Sequence, residues 1–134
     1  MKKILSILLA VCFLLSVTAA VVSAQSSAKM QFSESKKAEL IGYMTKYYSA
    51  KNVEIVFVDS GTGGLIINYY IAKAPAKTTL SNDVANILIL AKSLAKESGI
   101  PNPDVSVCPM LMDETPLGIG NYYATSGTTN IDIT

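Results

Sequence analysis

A chain of 134 residues with no histidine, no arginine, no tryptophan and two cysteines has a narrow chemical vocabulary. The absence of histidine excludes Ser-His-Asp and Cys-His catalysis, and two cysteines cannot supply a zinc site of the common kind. Eleven scattered lysines against ten acidic residues give a formal charge of +1, without the clustered basic surface that nucleic acid requires.

The chain opens on Lys2-Lys3, followed by an apolar run from Ile4 to Val22 and then Val22-Ser23-Ala24, with small residues before a polar Gln25-Ser26-Ser27. This is the layout of a secretory signal peptide cleaved after Ala24. About 19 mostly apolar residues also approach the length of a bilayer span, so an uncleaved N-terminal membrane anchor is the alternative. Cys12 lies inside the apolar run after Val11, where a lipidated cysteine would follow a small residue. Removal of residues 1–24 leaves 110 residues, one domain's worth, with nine lysines against ten acids. The protein is thus expected to be secreted or extracytoplasmic. Cys108 becomes its sole cysteine, so no intrachain disulfide forms and the core alone must hold the fold. Cys108 reads as a small strand hydrophobe, with pairing to a second chain as the alternative.

Residues 25–32 read as a flexible N-terminal segment, 33–126 as a single α+β domain, and 127–134 as a C-terminal tail or short edge strand. Ser33 or Ser35 caps a first helix whose Leu40, Ile41, Met44 and Tyr47/Tyr48 follow the amphipathic period, with Asn52 as its stop. Val53–Asp59 is a strand, and its nearly continuous apolar run predicts a central or doubly covered position. Ser60–Gly64 is a turn, and Leu65–Ala72 closes a hairpin. After the Ala74-Pro75-Ala76 linker, Ser81 is expected to cap a second helix. Its wide apolar face includes Val84, Ile87, Leu88, Ala91, Leu94 and Ala95, broadened by Ile89 and Leu90. Gly99 and Pro101 end it. Val105–Met112 is a third strand, with Pro109 arguing for an edge position or a bulge. Leu117–Thr125 is a fourth, and Ile131-Asp132-Ile133 alternates as a fifth would.

The order α-β-β-α-β-β predicts a two-layer α+β sandwich: an antiparallel sheet of four to five strands with two helices on one face. The halves echo each other, Asn68-Tyr69-Tyr70 against Asn121-Tyr122-Tyr123 and Leu65-x-Ile67 against Leu117-x-Ile119, with one inserted residue. Either an α-β-β duplication or the ordinary recurrence of strand patterns accounts for this.

Two constellations bear on function. Phe57-Val58-Asp59-Ser60-Gly61-Thr62 resembles the active-site loop of aspartic proteases, and Ile119-Gly120-Asn121 is similar to the downstream segment of the retroviral-type members. That resemblance implies a homodimer in which two Asp59 carboxylates share a proton and activate water. The two helices depart from that nearly all-β family, and Asp-Ser-Gly is also ordinary turn chemistry. Gly61-Thr62-Gly63-Gly64 lacks both the lysine and the following helix of a phosphate loop. The second constellation is the pairs Tyr69-Tyr70 and Tyr122-Tyr123. Adjacent strand residues point to opposite faces, so each pair buries one ring and exposes the other. If the two strands lie level, the exposed rings form an aromatic patch on the open sheet face.

These features favour an exported, non-enzymatic binding or protein-interaction module, with Tyr69, Tyr70, Tyr122 and Tyr123 as its binding residues. A protein, peptide or small apolar ligand is the expected partner, with no nucleic acid, no cofactor and no metal, and with homodimerisation left open. A homodimeric aspartic-type hydrolase using Asp59 and a structural envelope component are the alternatives.

Overall fold

The computed structural model describes residues 30–134; the signal-peptide segment and Cys12 lie outside them. Helix α1 spans Glu34–Tyr47. Its N-cap is Ser33, whose hydroxyl accepts from the Lys36 amide at 3.3 Å, and Glu34 faces the helix dipole from the first turn. The helix ends five residues before Asn52, because Ser49 turns left-handed at φ 58° and the Ala50 amide bonds back to the Met44 carbonyl. Phe32, expected in a flexible segment, is buried in the core.

Strands β1 (Asn52–Val58) and β2 (Gly64–Ile71) form the expected antiparallel hairpin. Helix α2 spans Lys77–Glu97, starting at Ala76 without a side-chain cap, so Ser81 lies inside it. Pro75 restricts Ala74 rather than Ala76, and the chain enters the helix immediately beyond the proline. Leu80, Val84, Ile87, Leu88, Ala91, Leu94 and Ala95 are buried at helical spacing. Ile89 points to solvent at 62% exposure, so the apolar face is narrower than its sequence implies. Gly99, at φ 88°, closes the helix as foreseen. The Ile100 amide bonds to Ala95 O and the Gly99 amide to Lys96 O, the paired bonds of a Schellman stop.

Strands β3 (Asp104–Leu111), β4 (Gly118–Tyr123) and β5 (Thr128–Ile133) complete one sheet, ordered β1-β2-β3-β4-β5. The architecture is α+β, with a mostly antiparallel sheet. The exception is the central pair: β2 and β3 run parallel, with α2 as their crossover. Leu65, Ile67 and Tyr69 on β2, Val105 and Val107 on β3, and Ile133 on β5 share one buried cluster with Leu40 and Met44 of α1 and the apolar face of α2.

Two strands sit elsewhere than their composition predicts. The apolar β1 is an edge strand, with Val56 54% and Val58 44% exposed. The proline-bearing β3 is central, and the bulge resolves the conflict. Val107 faces Gly120 and Met110 faces Pro116, so Cys108 and Pro109 oppose three residues, Leu117–Ile119. The Pro109 carbonyl accepts from the Leu117 amide at 2.8 Å, so its ring nitrogen faces the same interrupted ladder, where no amide is needed. Gly118 occupies the bulge at φ 151°, where an added Cβ would meet Ile133 Cα at 2.8 Å.

Candidate functional site

The two tyrosine pairs split as strand alternation demands. Tyr69 and Tyr122 face the helices; Tyr70 and Tyr123 face the open side of the sheet. Tyr122 is held in place by its surroundings. Its hydroxyl donates to Asn102 Oδ1 at 2.9 Å, and Lys92 of α2 sits 3.6 Å over its ring.

The exposed rings do not meet. Tyr70 lies level with Met110, whereas Tyr123 lies one residue beyond the Tyr122–Val105 pair, level with Asp104. Six residues of β3, about 20 Å, separate them. The parallel seam sends β2 and β4 in opposite directions, which carries their terminal tyrosines to opposite ends of the sheet. Between them lie polar contacts: Ser106 Oγ donates to Asn121 Oδ1 at 2.6 Å, and the Tyr70 hydroxyl donates to Glu54 Oε1 at 3.2 Å. Cys108 is half-buried on this face, and burial pushes its thiol up, away from the reactive thiolate.

Asp59 lies at the start of the β1–β2 turn, exposed, where the Gly63 amide bonds to the Ser60 carbonyl at 2.8 Å. Ile119-Gly120-Asn121 belongs to β4, beyond β2 and β3. Gly120 there lies beneath α2.

The sequence gives no sign of a cleft at the other end of the hairpin. About 450 Å³ of space lies between the C-terminal end of α1 (Tyr47, Tyr48), the end of β2 (Ile71) and the first turns of α2 (Leu80, Asp83). Lys51 and Lys73 also line it. This volume falls in the range of small-ligand sites, and its walls mix apolar side chains such as Ile71 and Leu80 with Ser49, Thr79 and Asp83.

The polar groups are unusual. Tyr69 is completely buried, and its hydroxyl has no protein hydrogen-bond partner. Burial pushes its phenol far above the ordinary range, with the charge of Asp83 and then Tyr48 adding to the shift. Both neighbours line the cleft, so the buried hydroxyl lies near it, although Tyr69 itself does not line it. Burial likewise raises the Asp83 carboxyl and, as its main cause, the Tyr48 phenol. Perturbed groups gathered at one cleft mark a candidate site. Only tertiary packing assembles it, because Tyr48, Tyr69 and Asp83 come from three separate elements.

A carboxyl raised above its ordinary value binds its proton more tightly in the folded state than in the unfolded state. Folding stability therefore falls as pH rises from the ordinary carboxylate range through the folded value, and the penalty is complete at neutral pH. Asp83→Asn should melt higher than the parent at pH 7 and equal to it below about pH 3, where both forms are neutral. Thermal melts across pH read this directly; a gain that persists undiminished in acid would show a different cause.

Among the described residues, no helix is long and apolar enough to cross a membrane. No family model matches the chain, and no curated protein matches it. Among solved structures, it is similar to a sex pheromone precursor from Lactobacillus salivarius subsp. salivarius UCC118, at 10% identity and a TM-score of 0.46. The match covers 74% of this chain and 28% of that one.

Proposed function

We propose that the protein is an exported, non-enzymatic binding module that holds a small, largely apolar ligand in the cleft between α1, β2 and α2. The observation that carries this reading is the buried, unpartnered Tyr69 hydroxyl close to Asp83 and Tyr48, two residues that line the cleft. An unpaired buried hydroxyl costs the free fold about 1–3 kcal/mol, and such costs persist where function requires the polar group. Export rests on the basic, apolar and small-residue succession of residues 1–24. Tyr47, Tyr48, Ile71 and Leu80 offer an apolar surface, and Lys73 favours a ligand carrying an acidic group.

Anilinonaphthalene sulfonate, an apolar anion, is a suitable probe. Its titration into isotopically labelled protein should shift the resonances of Tyr48, Leu80 and Asp83 first. Tyr69→Phe, which deletes only the orphan hydroxyl, should gain about 1 kcal/mol in probe-free denaturant unfolding. Shifts centred on Val56 and Ile66 instead would transfer the binding surface to the open sheet. A loss of stability in Tyr69→Phe would show that the hydroxyl is satisfied and remove the basis of the cleft reading.

A further inference from the structure

β1 is an edge strand with the composition of an interior one. Its seven residues, Asn-Val-Glu-Ile-Val-Phe-Val, contain no lysine and no proline, the residues that usually block edge pairing. Among the described residues, no strand pairs with its outer side. Val53, Ile55 and Phe57 pack on the core yet remain half-exposed, because the helical layer covers β1 incompletely. The opposite edge, β5, reads Thr-Thr-Asn-Ile-Asp-Ile and is far more polar.

We infer that β1 is the interface to a second copy of this chain, pairing antiparallel with its twin about a two-fold axis through Ile55. This surface meets the proposed ligand cleft only at Lys51, which lines one end of it. In this register Ile55 faces itself and Val53 faces Phe57, so each half-exposed apolar side chain meets another on the same face. One step further out, Lys51 of each copy meets Asp59 of the other. These residues flank the strand with opposite charges at equal distances from Ile55, and neither has an ion-pair partner among the described residues. An axis through Glu54 would set two carboxylates against each other. The axis at Ile55 avoids that and gives two cross-subunit ion pairs, as a self-complementary interface requires. The union makes one continuous ten-stranded sheet, twice the five strands of each copy. It also places the two Asp59 side chains at opposite ends of the seam, each facing a lysine.

Sedimentation equilibrium of the whole protein in reducing buffer, which removes any Cys108 disulfide, tests the pairing. The expected result is a reversible dimer. Lys51→Asp and Asp59→Lys should each weaken it roughly tenfold or more, because one reversal turns two attractions into two repulsions. The double reversal should restore it. In the parent protein, hydrogen exchange of the outward β1 amides should slow as concentration rises, which tests the edge without any substitution. A monomer at high micromolar concentration would overturn the inference. So would a dimer indifferent to the single reversals, a double variant that stays weak, or β1 exchange independent of concentration.

Discussion

Gly120→Val should cost the fold about 3 kcal/mol, a large share of the stability of a domain this size. Gly120 lies on β4 directly beneath α2. A Cβ built there collides with Val84 Cγ1 and comes within 3.3 Å of Leu88 Cδ1 and 3.5 Å of Ile131 Cγ1. Val84 is fully buried and branched at its own Cβ, so on a helix it has one strongly preferred rotamer and cannot swing aside. Accommodation must therefore lift α2 from the sheet. Denaturant unfolding gives the cost, and Val84→Ala in the same chain identifies its source. The smaller neighbour should recover part of the loss, so that the two changes together cost less than their sum. A Gly120→Val protein within about 0.5 kcal/mol of the parent would mean that β4 does not press on this helix.

Ile87→Ala is expected to cost about 3–4 kcal/mol. Ile87 is fully buried at the middle of the α2 face, and shortening it removes apolar contact and leaves a void that a closely packed core refills only in part. Ile89, two residues later, provides the control. It is exposed, so Ile89→Ala should change stability by no more than about 0.5 kcal/mol, and alanine's better helix propensity favours a slight gain. Comparable losses at both positions would contradict the placement of the helix on the sheet.

The contrast between Ile87 and Ile89 also shows what sequence pattern can and cannot convey. Period and punctuation are local, and they fix the body of α2, its stop at Gly99 and the turn at Ser60–Gly64, though not the helix start, which lies at Ala76 rather than Ser81. They mark which residues of a strand share a face, which is why the split within each tyrosine pair is legible. They do not say which strands are neighbours. An apolar run such as β1 suggests a central strand, and only the topology shows it at an edge. Pro109 suggests an edge or an interruption, and the chain adopts the interruption inside a central strand. The separation of Tyr70 from Tyr123 follows from one parallel seam that no alternation pattern encodes. The candidate cleft was illegible for a related reason. Its character lies in burial, and the burial of a tyrosine hydroxyl near an aspartate exists only once α1, β2 and α2 have come together.

That parallel seam also constrains how the chain reaches its native state. Every strand adjoins its successor, and the β1–β2 hairpin and the β3–β4–β5 meander can each close through short connections. Uniting them requires the stretch from Ile71 to Asp104 to close as a loop, and α2 makes up most of that stretch. The entropy of that closure falls due before the seam's hydrogen bonds and the buried face of α2 can offset it. Joining the two halves is therefore the step expected to be slowest, since it waits on that closure. The pairing of β2 with β3 depends on a segment that contributes no hydrogen bond to the sheet.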